Sequence, residues 1–383
     1  MPTHEQQVIA RLQQLVATPS VSSTDTSWDQ GNRHVIDLLA QWLTDLDFAV
    51  EIQDVGSDGR KANLIATRGS GPGGLVLAGH SDTVPFDEGR WTSDPLSLTE
   101  RDARLYGLGS TDMKGFFPLA IAAASRFREQ ELQQPLIILA TADEESSMNG
   151  ARALAAAGRP RARAAIIGEP THLTPVRMHK GIMMQSVKIT GQAGHSSNPA
   201  LGNNALDAMH SVIGQLIGYR DQMKERYSNP LFEVAFPTLN LGCIHGGDSP
   251  NRICSGTEMH FDVRMTPDGD NDTVRAELQQ QLQSIAQQRD ISIELEPLIK
   301  DVPPFEEPAD SELVRLAERL TGHSAHAVAF ATEAPFLQQL GMETIVMGPG
   351  SIDQAHQPDE YLALDQIAPC IDLLEQCIAH YCL

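Results

Sequence analysis

Gly74-Leu75-Val76-Leu77-Ala78-Gly79-His80-Ser81-Asp82 is a short apolar run between glycines that delivers a histidine and, two residues later, an aspartate. A run of this length with glycine and polar flanks predicts a buried strand. Three other runs close in the same way. Leu136-Ile137-Ile138-Leu139-Ala140-Thr141 leads into Asp143-Glu144-Glu145, and Ala164-Ala165-Ile166-Ile167-Gly168 leads into Glu169-Pro170. Thr344-Ile345-Val346-Met347 leads into Gly348-Pro349-Gly350-Ser351, with His356 just beyond. Open α/β sheets bind ligands beyond the carboxyl ends of their strands, so strands ending in metal-ligand residue types point to one shared site.

Helices separate these strands. Val8, Ile9, Leu12, Leu15 and Val16 recur at helical spacing over residues 4–18, and a second amphipathic helix from Asn32 presents Val35, Leu38, Leu39, Trp42 and Leu43. Residues 48–53 and 63–67 read as strands. The glycine-punctuated loop Tyr106-Gly107-Leu108-Gly109-Ser110-Thr111-Asp112-Met113-Lys114-Gly115 leads into an apolar helix over about 116–127. It lacks the third glycine of a dinucleotide fingerprint and the Lys-Ser/Thr of a P-loop, which argues against a nucleotide site. The alternation predicts an α/β layer with a largely parallel sheet.

After Lys180 the pattern changes. Strand 182–190, helix 202–226, strands 238–244 and 257–265, helix 271–288 and strand 291–295 give the order βαββαβ of a ferredoxin-like unit. Residues 301–383 then return to helix, strand and helix. The expected organisation is a catalytic domain split between 1–180 and 300–383, with 181–299 inserted.

With 50 acidic and 28 basic residues among 383, the chain carries a formal charge of −22. That charge disfavours nucleic acid and anionic membrane surfaces. No apolar stretch is long enough to span a bilayer, and Met1-Pro2-Thr3-His4-Glu5 has no signal-peptide pattern. The five cysteines form no Cys-x-x-Cys pair, which fits reduced thiols in a cytoplasm. Any metal site is therefore built from nitrogen and oxygen ligands.

His80, Asp112, Glu145, Glu169 and His356 suit two divalent metals if one carboxylate bridges, each metal keeping a position for water. Asp82, two residues after His80, is spaced to orient the imidazole. In Glu144-Glu145, one carboxylate can hold metal while its neighbour moves protons.

His80-Ser81-Asp82-Thr83-Val84-Pro85, Gly107–Gly115, Ala142-Asp143-Glu144-Glu145, Gly168-Glu169-Pro170 and Gly191-Gln192-Ala193-Gly194-His195-Ser196-Ser197 together resemble the two-zinc aminoacylase and carboxypeptidase family. The resemblance runs the length of the chain in family order. It implies a zinc-exopeptidase-like catalytic domain with an inserted dimerisation (lid) domain, and a cytoplasmic homodimer. His80 and Glu169 would hold one Zn²⁺ (or Co²⁺), Glu145 and His356 the other, and Asp112 would bridge, followed by a cis peptide at Asp112-Met113. Asp82 would orient His80, Glu144 would be the general base, and His195 would stabilise the oxyanion in the partner subunit's site. Asn251 and Arg264 match substrate-binding positions, although Arg264 reads equally well as a strand residue paired with a neighbouring acid. The amides of Gly350 and Ser351 would help hold a substrate carboxylate.

Trp91 within Asp87-Glu88-Gly89-Arg90-Trp91, the runs Thr238-Leu239-Asn240-Leu241-Gly242 and Thr332-Glu333-Ala334-Pro335-Phe336, and above all Gly348-Pro349-Gly350-Ser351-Ile352-Asp353-Gln354-Ala355-His356-Gln357-Pro358-Asp359-Glu360-Tyr361 resemble the branch of the family that acts on N2-acetyl-L-ornithine in arginine biosynthesis. That resemblance implies deacetylation, with Glu333 a candidate for the substrate's ammonium and a structural ion pair its alternative. A related deacylase acting on succinyl-diaminopimelate, another N-acyl amino acid or a dipeptide is the competing expectation.

Overall fold

Strands that end in candidate ligands form the middle of one sheet in the computed structural model, which describes residues 4–87 and 89–383. Glu88 and residues 1–3, which contributed to the sequence reading, lie outside the described residues. The sheet's first strands are β1 (Ala49–Asp54), β2 (Ala62–Arg68), β3 (Leu75–His80), β4 (Leu136–Thr141) and β5 (Ala164–Pro170). Strands β6 (Met183–Thr190), β7 (Thr238–Gly246), β8 (Gly256–Arg264) and β9 (Ser292–Pro297) build a second sheet, and β10 (Glu343–Gly348) returns to the first.

The order β1-β2-β4-β3-β5-β10 places the ligand-bearing strands side by side. β3 is parallel to β4 and β5, and β5 is parallel to β10, while β1 and β2 are antiparallel additions. Parallel strands are covered on both faces, which explains runs that are apolar throughout instead of alternating. Leu75, Leu77, Leu136, Ile138, Ala164 and Ile166 join the large core with helices α1 (His4–Val16), α2 (Arg33–Thr44), α3 (Phe116–Ala124) and α6 (Ile367–Cys382). Their alternates Val76, Ile137, Leu139, Ala165 and Ile167 are equally buried but outside that cluster, as a two-residue side-chain period requires.

Helix α3 stops at Ala124, three residues earlier than its apolar run predicts. Arg68 Nη2 donates to the Ala124 carbonyl, and Arg126 and Phe127 make i to i−3 bonds to Ala123 and Ala124, both 3.2 Å, so the last turn tightens and ends. Asn32 stands at the N-cap of α2 without a side-chain cap bond, and its amide donates to Ala62 O at 2.8 Å and Ser81 Oγ at 2.7 Å, tying β2 to the end of β3.

The chain divides into two compact units, one of Met1–Arg177, Glu307–His326 and Thr332–Leu383, the other of Met178–Glu306 and Ala327–Ala331. In the second unit the antiparallel order β7-β8-β6-β9 surrounds its own core, with helices α4 (Ala205–Arg226) and α5 (Asn271–Arg289) covering it. The strand and helix order is the βαββαβ expected from the sequence. No described helix is long and apolar enough to cross a membrane.

Gly168, next to Glu169, is the tightest point between the large sheet and α3. A Cβ there would lie 2.1 Å from Cγ of the buried Phe116 ring. Gly168→Ala should destabilise the protein by about 1–3 kcal/mol through overpacking, read as a lower thermal midpoint. An unchanged midpoint would show that the ring can retreat.

Candidate metal centre

β3 ends at His80, β4 runs into Asp143–Glu145, β5 carries Glu169, and the segment after β10 carries His356. His80 Nε2 lies 3.0 Å from Asp112 Oδ1 and 3.7 Å from Glu169 Oε1. His356 Nε2 lies 3.4 Å from Asp112 Oδ2 and 3.0 Å from Glu145 Oε2. The two oxygens of Asp112 therefore face two different imidazoles, the geometry a bridging carboxylate needs. Ligand atoms of His80, Asp112 and Glu169 fall within 4.8 Å of one another, as do those of Asp112, Glu145 and His356. Three carboxylates opposite two imidazoles, which are neutral as ligands, form a negative set that two divalent cations would neutralise. The peptide Asp112–Met113 is cis.

His80 and Glu169 are almost fully buried, at 1 % and 4 % exposure. Burial raises Glu169 and Glu144 well above the usual carboxylate range, with nearby carboxylates adding to the shift and His80 opposing it. Burial works against the His80 imidazolium, but Glu169, Asp112 and Glu144 outweigh it and raise its pKa. Hydrogen bonds that the His356 ring donates to Asp112 and Glu145 push it up to about 10. Burial opposes the Asp112 carboxylate, yet His356 and His80 hold it below its ordinary value.

Asp82 makes more contacts than its spacing alone suggests. His80 Nδ1 lies 2.9 Å from the Asp82 carbonyl and 3.8 Å from its carboxylate. The carboxylate accepts the backbone N–H of Glu144 at 3.3 Å and of Glu145 at 3.2 Å. It thus fixes the turn presenting the base candidate and a ligand candidate, while burial pushes it up to about 6. Lys61 Nζ, 2.6 Å from both Asp29 and Asp143, anchors the same turn, where Asp143 has φ 63°.

Glu333 is 1 % exposed. Thr141 donates its hydroxyl to Oε2 at 2.8 Å, and Oε1 has no hydrogen-bond partner among the described residues. Gly350 has φ 82°, with room for a Cβ blocked by Thr111, and its carbonyl accepts from His172 N–H. Ser351 Oγ accepts from Asp353 N–H at 3.2 Å.

In the second unit, exposed His195 accepts at Nδ1 from Ser197 N–H and also bonds the Ser197 hydroxyl. Its loop meets the Asn251 loop through Ser196 N–H to Asn251 O at 3.1 Å and a His195–Arg252 bridge. Arg264 donates Nε to Asp262 at 2.8 Å, so the neighbouring-acid pair expected as its alternative role is formed.

Two buried groups escaped the sequence reading. Glu360 accepts three backbone N–H groups from the Asp112 loop, and Lys114 donates to Leu15 O and Thr18 O at 2.9 and 3.1 Å. The available signal was a charged residue abutting an apolar element, namely Glu360 before Tyr361-Leu362 and Lys114 before α3.

The chain belongs to peptidase family M20/M25/M40, whose model matches residues 76–380, and it is a metal-dependent hydrolase. It is 50% identical over 382 residues to acetylornithine deacetylase of Edwardsiella ictaluri (strain 93-146), covering 100% of both chains. It is 49% identical over 368 residues to acetylornithine deacetylase of Klebsiella pneumoniae (strain 342), covering 96% of each. Among solved structures, a tripeptidase from Staphylococcus aureus aligns with TM-score 0.75 at 19% identity, covering 98% of this chain and 97% of that one. A dinuclear metal-binding peptidase of the M20 family from Bacillus subtilis aligns with TM-score 0.69 at 16% identity, covering 98% of each. These structures share the fold.

The titration shifts set a sign for stability without metal. Glu169, Glu144 and Glu333 (about 7) are raised when folded, so the native state holds protons that the unfolded chain releases above about pH 4.5. The raised His80 and His356 act in the same direction above their ordinary pKa, because their stabilisation fades as pH rises toward the folded values. Chelator-treated protein should therefore lose thermal stability from pH 5.5 to 8. Added Zn²⁺ should oppose that loss, because metal binding takes up deprotonated ligands. A metal-free midpoint that rises across this interval would contradict the electrostatic account.

Proposed function

We propose that the chain hydrolyses the acetamide of N2-acetyl-L-ornithine to acetate and L-ornithine, a step of arginine biosynthesis. Full-length similarity to acetylornithine deacetylases carries the substrate assignment. The enzyme is read as a cytoplasmic homodimer, in keeping with its five free cysteines, with the second unit as its dimerisation domain.

His80 and Glu169 would hold one divalent ion, Zn²⁺ or Co²⁺, and Glu145 and His356 the other, with Asp112 shared. Such a pair supplies a lowered water pKa and polarises the amide carbonyl. Glu144 takes the proton of the attacking water and returns it to the departing nitrogen as the C–N bond breaks. A carboxyl group raised by burial suits this task, because a proton acceptor works best with a pKa near the operating pH. Asp82 holds the turn from which Glu144 acts. His195 would take up oxyanion charge from one subunit to the other, through an Nε2 left to donate by the Ser197 contacts. As the family resemblance implies, Asn251 and the guanidinium of Arg264 would bind substrate, and the amides of Gly350 and Ser351 would help hold a substrate carboxylate. Glu333 would meet the distal ammonium, a role supported by the unpartnered Oε1.

A deacylation panel with the zinc-loaded protein tests the substrate. Acetylornithine should exceed succinyl-diaminopimelate and dipeptides in kcat/KM, and the reverse order would reject the assignment. Glu144→Ala should lower kcat about 10²–10⁴-fold with both metals retained, and near-normal turnover would remove it as the base. Glu333→Gln should raise KM for acetylornithine well beyond that for acetylmethionine, whereas equal effects would leave Glu333 a purely internal residue.

A further inference from the structure

We propose that Glu360 is a positioning residue that sets the bridging geometry of Asp112; this rests on reading Asp112 as the shared metal ligand. Glu360 is 2 % exposed and touches no candidate ligand side chain through its own hydrogen bonds. Its Oε1 accepts the N–H of Thr111 at 2.8 Å and of Asp112 at 2.9 Å, and its Oε2 accepts the N–H of Gly109 at 2.9 Å. One side chain thus gathers three amides from four consecutive residues, across about 250 positions of sequence. Every donor that Glu360 meets is a backbone N–H, so both of its oxygens serve as acceptors.

The main chain reinforces the same clamp. Gly107 N–H donates to Glu360 O at 3.0 Å, the Thr111 hydroxyl donates to Tyr361 O, and Tyr361 pairs with Tyr106 across an antiparallel bridge. Gly109 adopts φ 77°, and a Cβ there would meet the Lys114 and Thr83 side chains, so the loop reverses where only glycine fits. With its own N–H held by Glu360, Asp112 has its backbone fixed beside the carboxylate it carries. Its carboxylate can then offer one oxygen to His80 and the other to His356. A loop that drifted by a fraction of an ångström would favour one histidine over the other and uncouple the two metal positions.

The test uses full-length Glu360→Gln and Glu360→Asp proteins, stripped of metal and titrated with Zn²⁺ by calorimetry, beside wild type and Asp112→Ala. Glu360→Gln places an NH₂ against N–H donors, and Glu360→Asp keeps the charge but shortens the reach. Both should weaken zinc binding about 10–100-fold, the range typical for partners that orient metal ligands. At saturating zinc, kcat should recover toward wild type with KM unchanged. Weakened binding in Glu360→Gln alone would assign the effect to charge and overturn positioning. A lower metal-free melting midpoint with an unchanged zinc isotherm would reduce Glu360 to a structural staple and also overturn it. If Glu360→Gln does not fold, the isotherm of Glu360→Asp decides between these outcomes. Asp112→Ala separates the premise, since wild-type binding of two zincs by that variant would mean that Asp112 is not the bridge.

Discussion

Negative charge buried at the ends of parallel strands is the constraint on which the rest of this unit depends. Removing carboxylates from water costs several kcal/mol each unless partners replace the lost hydration. The chain answers in two ways. Asp82 and Glu360 are met by backbone N–H groups, and Asp112, Glu145 and Glu169 are met by imidazoles. Acids surrounded by amides shape the loops. Acids facing imidazoles retain oxygens directed at a common centre, which is where a cation is most strongly favoured.

The stretch from Gly107 to Gly115 shows how densely these demands combine. Its amides bind Glu360, its aspartate faces both histidines, and its lysine reaches back to the end of α1. Lys114 is fully buried and lowered by burial to about 8, yet both its recorded contacts are carbonyls. Immediately after it, α3 is apolar on every side because Phe116 lies against Gly168 and the remainder is enclosed by the core. The loop is consequently held by residues from both ends of the chain.

Much of this was legible in the sequence where the cause was local. Apolar runs marked the strands, and the change of pattern after Lys180 marked the succession of strands and helices in the second unit. The residues at the strand ends identified a possible cluster before any distance was known, and the family resemblance divided them between two metals. The amide bonds of Asn32, the clamp of Glu360 and the backbone partners of the Asp82 carboxylate were missed because those partners lie far away in sequence. The early end of α3 has the same origin, since it depends on Arg68 in a strand. Local periodicity describes which face of an element is apolar, but it does not say which distant carbonyl or amide will meet a polar side chain.

The interrupted path of the chain has a consequence for synthesis. His80, Asp112, Glu145 and Glu169 all precede the second unit, whereas β10, His356 and Glu360 follow it. A ribosome therefore releases four of the five ligand candidates long before the strand that neighbours β5 and the histidine that faces Glu145. The intervening unit is nearly continuous in sequence and can condense as a block, while the first unit waits with an unfinished sheet edge and an uncompensated cluster of acids. The set of candidate ligands is complete only once the segment carrying His356 has been made.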